Sequence, residues 1–169
     1  MFVEVLMNKG EFINKYRKAQ ITIWFKDNIF LNDEAISIRD ANYKISSLGE
    51  FYCPWHYDHN NNLIGAIEQA ICDPDARSVQ LKSSETIHLD RDKENIILSF
   101  RNNFPEFSNP VPVATDLNTK RTLILDANKR CIALYRNYLD NKVDEVIPFI
   151  EVDGQGLERL VEDFKIINR

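Results

Sequence analysis

The chain is predicted to fold as an α+β (mixed α/β) protein, and three observations in its 169 residues predict this. Short apolar runs of strand length alternate with segments of helical period in the second half. Turn signals fall between them. No segment is apolar for long enough to do anything but build a core. From about residue 78 onward the order reads β-α-β-β-α-β-α, the pattern of a sheet covered by helices.

The elements follow in order. Asn8 to Ala19 is a short helix with Phe12, Ile13 and Tyr16 on one face, and Asn8 with Glu11 has the spacing of a capping box. Ile21 to Phe25 alternates as a strand does, before the turn Lys26-Asp27-Asn28, and Ala35 to Ile38 is the next strand. Ser46 to Asn62 is rich in polar, aromatic and turn residues and reads as loop. Leu63 to Cys72 reads as a helix stopped by Asp73-Pro74. Ser78 to Leu81 and Thr86 to Leu89 are short strands, and Lys93 to Asn102 is a helix. Val111 to Ala114 and Leu123 to Leu125 form a hairpin around Asp116 to Lys120. A helix runs from Asn128 to about Asp140, then a strand from Val146 to Ile150. Gly154 to Ile167 is a closing helix with Leu157, Leu160, Val161 and Phe164 in an apolar stripe. This places a domain at 76–169, with 1–75 an N-terminal extension packed on it.

Composition narrows the functional classes. Apolar residues are 44% and charged residues 28%, ordinary for a globular domain. No stretch approaches the roughly 20 apolar residues that cross a bilayer, and Met1-Phe2-Val3-Glu4 has no export signal. The three cysteines, Cys53, Cys72 and Cys131, are an odd, widely spaced set that suits reduced thiols. A cytoplasmic protein without a membrane partner is the expectation. The net charge is -5, opposite in sign to a protein that coats nucleic acid, yet residues 116–136 carry five cations against two anions. A basic site on an acidic body suits a small anionic ligand.

That site centres on Asp126-Ala127-Asn128-Lys129-Arg130. A strand turning directly into a helix leaves backbone N–H groups unpaired at the helix start, where the dipole favours an anion. Lys129 and Arg130 in the first turn oppose the dipole unless an anion is bound. Arg130 can fork onto phosphate oxygens, with Lys129 as a mobile point charge. Asn128 can cap the helix or contact a metal-bound water. Asp126 can cap it, pair with Arg130, or hold Mg²⁺ beside a triphosphate. The alternative is an ordinary helix start with solvated cations. Elsewhere, Cys53, His56, His59 and Cys72 are potential Zn²⁺ ligands lacking a clear second pair. Asp90, Asp92 and Glu94 suit a helix start.

The segment Leu123-Ile124-Leu125-Asp126-Ala127-Asn128-Lys129-Arg130-Cys131-Ile132-Ala133-Leu134 resembles the signature of the ParB/sulfiredoxin superfamily, in which a strand ends in Gly-x-x-Arg or Asp-Gly-x-His-Arg before a helix. Val146 to Glu151 sits where the next strand follows, and Thr86 to Ala114 fits the opening elements. Ala127 replaces the usual glycine and Lys129 the usual His or Arg. Asn128 stands at sulfiredoxin's catalytic cysteine, which argues against sulfinic-acid reduction. The resemblance implies a nucleotide site. Asn128, Lys129 and Arg130 would bind the phosphates of ATP or another nucleoside triphosphate with Mg²⁺ on Asp126. Asp126 and Glu94 would serve as the catalytic carboxylates of hydrolysis, phosphoryl transfer or nuclease chemistry. Its alternative is a non-catalytic interaction protein, an inhibitor or accessory factor of a DNA-processing or DNA-transfer machine, with DNA or a protein as partner.

Overall fold

A computed structural model describes residues 7–16, 36–65, 67–83, 89–104, 107, 109–155, 157, 162–167 and 169. The described helices are α1 (Lys9–Tyr16), α2 (Ile67–Cys72), α3 (Arg91–Asn102), α4 (Asn128–Asn141) and α5 (Glu162–Ile167). The strands are β1 (Ile36–Lys44), β2 (Tyr52–Tyr57), β3 (Leu63–Ile64), β4 (Arg77–Gln80), β5 (Val111–Asp116), β6 (Arg121–Ile124) and β7 (Val146–Gly154). They form one mixed seven-stranded sheet in the order β1-β7-β5-β6-β2-β3, with β4 on β2. β5 runs parallel to β7 and β2 parallel to β6; the other pairs are antiparallel.

The mixed α/β class and the order β4-α3-β5-β6-α4-β7-α5 agree with the periodicity of the sequence. The first 75 residues supply β1, β2 and β3 to the same sheet: β1 pairs with the whole of β7, and β2 joins β6 through Tyr52 and Leu123.

Because side chains alternate along a strand, each face of the sheet gathers its own core. One face holds Ile38, Ala114, Leu123, Ile150 and Val152 under Phe12 and Tyr16 of α1 and Phe164 and Ile167 of α5. The other holds Val111, Val113, Ile124, Ile147 and Phe149 under Ile97 of α3 and Cys131, Ile132 and Ala133 of α4. Burying side chains such as Phe149 or Ile132 stabilises by roughly 1.5–3 kcal/mol apiece.

Several local expectations change. Of residues 46–62, expected as loop, Asp58 to Asn62 is turn and loop, but the rest is not. Ile45–Glu50 is a turn of 3₁₀ helix and Tyr52–Tyr57 is strand β2. Gly49 lets α4 pack closely there, because a Cβ would stand 2.5 Å from the Tyr135 hydroxyl and the ring would have to shift. The helix expected from Leu63 begins at Ile67, since Leu63 and Ile64 pair with Tyr57 and His56. Gly154 does not open a helix. It ends β7, in register with Ile36 and Asp116. The strands expected at Ile21 to Phe25 and Thr86 to Leu89 fall on residues outside those described, apart from Leu89, which lies in neither strand nor helix. The capping box is present: the Glu11 N–H donates to Asn8 Oδ1 at 2.9 Å and the Asn8 N–H to Glu11 Oε2 at 3.1 Å.

β2 carries a pH dependence. His56 is 2% exposed, and burial, with Arg169 adding repulsion, pushes its imidazole down to about 4. An unfolded histidine takes its proton near 6.5, so the folded state resists a proton that the unfolded state accepts. The stability held above pH 6.5 is therefore expected to fall as pH drops toward about 4, and to lose nothing more from this group below that. Urea midpoints at pH 7 and pH 5, compared with those of His56→Phe, test this: the variant should lose much less between the two. An equal loss in both proteins would assign the acid sensitivity elsewhere.

Candidate functional site

The turn from β6 into α4 is two residues long after Leu125, whose N–H donates to the Pro112 carbonyl and ties the strand end to β5. Ala127 then takes φ 66° and ψ 22°, the left-handed region. For a residue with a Cβ this costs about 1–2 kcal/mol. The helix opens immediately, with the Cys131 N–H donating to the Ala127 carbonyl at 2.9 Å.

The two long helices on this face start in opposite ways. At α3, Asp90 caps the end by accepting from the Lys93 N–H at 2.8 Å, and Asp92 and Glu94 add negative charge to the first turn. At α4 no side chain caps the end and no acid lies in the first turn. Lys129 and Arg130 occupy that turn instead. Both are half-buried, and the Arg130 guanidinium lies 5.2 Å from the centre of the Phe107 ring. Asn128 Oδ1 is buried and accepts no hydrogen bond. The first turn of α4 thus combines exposed helix dipole, two cations and an unsatisfied amide oxygen.

Asp126 is half-buried beside this turn. Its charge, after burial and Asp40, helps hold the Tyr16 hydroxyl above the usual phenol range, which brings α1 into the same neighbourhood. Tyr16 donates to the Pro110 carbonyl at 2.8 Å.

Glu94, expected as a catalytic carboxylate, has a partner on the neighbouring helix. It takes a forked ion pair from Arg136, with N–O distances of 2.8 and 3.1 Å, and so clamps α3 to α4 about two turns beyond Asn128. The clamp leaves Asp126 as the carboxylate at the turn itself. A Mg²⁺ ion at this turn would have that one carboxylate and would need a ligand's own phosphates for the rest of its coordination. Among the described residues no three His, Cys, Asp or Glu side chains converge as a metal cage. The potential zinc ligands separate accordingly: Cys53 is buried in β2, and Cys72 is exposed on α2. Burial, and then the nearby Cys131, push the Cys53 thiol far up, the reverse of an activated nucleophile.

The sequence missed a polar group on the sheet. Glu151 and Asp153, two apart on β7 and so on one face, are 3% and 7% exposed. Arg39 of β1 pairs with both at 3.1 Å. Glu151 also accepts from Tyr43 at 2.8 Å and Thr115 at 2.5 Å, and Ser37 bonds Asp153. Each carboxylate is satisfied, so the group reads as a rigid tie between strands.

Ala127→Gly separates the backbone term from the rest. Glycine removes the left-handed penalty of about 1–2 kcal/mol but adds about 0.5–1 kcal/mol of unfolded-state entropy. A net gain of about 0.5–1 kcal/mol in thermal unfolding is expected. A net loss would mean that the packing of the Ala127 methyl against the core outweighs the strain.

Among the described residues no helix is long and apolar enough to cross a membrane. No family model, no curated protein and no solved structure matches the chain.

Proposed function

We propose that the Asp126–Arg130 turn binds the phosphates of a nucleoside triphosphate. The protein would then be a nucleotide-binding member of the ParB/sulfiredoxin type, acting in hydrolysis or phosphoryl transfer. The observation that carries the reading is the uncapped start of α4, where two cations stand in a turn that has no acid to offset them. In a bare helix each cation there costs a few tenths of a kcal/mol or more, and a bound anion reverses the sign. Backbone N–H groups and the Arg130 fork would hold phosphate oxygens, Lys129 would neutralise them, and Asn128 would bond a ligand hydroxyl or water. Asp126 would hold Mg²⁺, which supplies charge neutralisation between the phosphates.

Glu94 has no part in this reading beyond holding α3 against α4. Its commitment to Arg136 favours a second reading, in which the turn binds a nucleotide or phosphate without catalysis and the protein works through a protein or DNA partner. In either reading, ATP, CTP or GTP with Mg²⁺ should raise the melting temperature. At about 100 times the dissociation constant the gain is about 2.7 kcal/mol. Arg130→Ala should abolish the shift and leave the fold intact. A flat response to every nucleotide would remove the site. A shift without turnover would select the non-catalytic reading.

A further inference from the structure

A second polar site lies on the far side of β2 from β6. A cleft of about 410 Å³ runs along β4 and is lined by Arg77, Ser78, Val79, Gln80, Tyr52 and Asn61. All four residues of β4 border it, so it follows the strand rather than one face of it. Its length from Arg77 to Gln80 is about 10 Å, at roughly 3.3 Å per residue.

The lining has a direction. At one end the Arg77 guanidinium is held by Asn61 Oδ1 through one of its terminal nitrogens. Asn61 is itself fixed. It sits in the left-handed region at φ 65°, in a turn where Asp58 accepts from the Asn60 and Asn62 N–H groups at 2.8 and 2.9 Å. Asparagine tolerates that conformation better than most residues. One terminal nitrogen of Arg77 is therefore engaged, and the remaining N–H groups of the guanidinium are donors for a ligand. At the other end Gln80 donates through Nε2 to the Glu50 carbonyl and carboxylate, and next to Arg77 the Ser78 hydroxyl donates to the Cys53 carbonyl at 2.7 Å. Those commitments turn the Gln80 Oε1 and the Ser78 lone pairs into acceptors for a ligand. The charged side chain among the described lining residues is Arg77, and the Glu50 carboxylate lies against Gln80 at the opposite end, so an anion belongs at the Arg77 end. The volume lies within the range of small-molecule sites.

We infer that this cleft binds a small polar molecule carrying one oxyanion group, a carboxylate or a phosphate monoester, gripped by Arg77 beside Asn61. Hydroxyl or amino donors of that molecule face Gln80 and Ser78. The site is separate from the α4 turn and stands whether or not the nucleotide reading does.

The test is a ¹H–¹⁵N NMR titration of the full chain with sodium phosphate, and separately with sodium acetate, at ionic strength held constant with sodium chloride. The expected result is a saturable shift of the Asn61, Arg77, Ser78 and Val79 amides, weakened at least about tenfold in Arg77→Gln and unchanged in Arg130→Gln. A response to phosphate alone assigns a phosphate ester, to acetate alone a carboxylate, and to both the shared oxyanion grip. Arg77 is exposed, and the spectrum itself reports whether the variant folds. Should Arg77→Gln not fold, Arg77→Lys, which keeps the charge but not the fork, must bind more weakly than wild type. No saturable shift with either anion, or a shift that survives the loss of Arg77, overturns the proposal.

Discussion

Arg39→Ala is expected to destabilise the protein by about 3 kcal/mol at neutral pH, measured as a fall in urea midpoint at unchanged slope. The physical reason is the two carboxylates it leaves behind. The side chains of Glu151 and Asp153 are 4% and 10% exposed, and Arg39 is 3.1 Å from each. Removing one partner of a buried ion pair costs about 3–5 kcal/mol because the remaining charge has lost both water and its counter-ion. The Arg39 side chain is itself 37% exposed, so solvent screens it and the low end of that range applies. Thr115 and Tyr43 continue to donate to Glu151, but neither supplies charge. The cost should be conditional on the carboxylates. In a Glu151→Gln/Asp153→Asn background, Arg39→Ala should cost less than about 1 kcal/mol. If it costs the same in both backgrounds, the arginine acts through the packing of its aliphatic stem and the ion-pair account fails.

The same group of residues shows why this part of the sheet was hidden in the sequence. Glu151 and Asp153 look like the polar end of a strand entering a turn, and Gly154 looks like the start of a helix. They belong to β7 because Arg39, 112 residues earlier than Glu151, neutralises them across the β1–β7 pairing. A local window contains the charges but not their counter-ion. β2 was lost for a related reason. Its sequence Tyr-Cys-Pro-Trp-His-Tyr has no alternation, and neither has its burial: Cys53, His56 and Tyr57 are buried, the other three half-buried, with an irregularity of register between Tyr52 and His56. By contrast α3, α4 and the β5–β6 hairpin were legible. Their apolar residues repeat at the helical or strand period, and their ends carry local signals.

Site residues divide along the same line. Asn128, Lys129 and Arg130 could be placed together because they are neighbours in the chain and share the first turn of one helix. Glu94 could be placed at the start of α3 but not against Arg136, since that contact depends on how two helices pack. The β4 cleft was invisible for the stronger reason that it is made by three separate segments, β2, the turn before β3, and β4. Its one charged lining residue, Arg77, looks in sequence like any solvated arginine.

Asp116→Ala should cost about 3–4 kcal/mol, the largest effect expected of a single substitution in the hairpin. Asp116 is the last residue of β5 and 0% exposed. One carboxylate oxygen accepts from the Thr119 N–H at 2.8 Å and its hydroxyl at 2.7 Å, which closes the turn. The other accepts from the buried Leu157 N–H at 3.1 Å, which ties the residues after β7 to the hairpin. Hydrogen bonds to a charged acceptor contribute about 1.5–3 kcal/mol each, and a buried donor left unpaired loses its hydration as well. The three bonds share one side chain and are not additive, hence about 3–4 rather than their sum. The backbone bond from the Lys120 N–H to the Asp116 carbonyl, at 2.8 Å, survives the substitution, so the turn should loosen rather than vanish. Asp116→Asn keeps one oxygen acceptor and should recover about half the loss. Amide hydrogen exchange separates the two roles. Leu157 should lose protection in Asp116→Ala, while protection at Val113 and Ile124, deep in the β5–β6 pairing, falls only with global stability. A cost below about 1 kcal/mol, with Leu157 still protected, would mean that water takes the place of the carboxylate and that the hairpin does not need it.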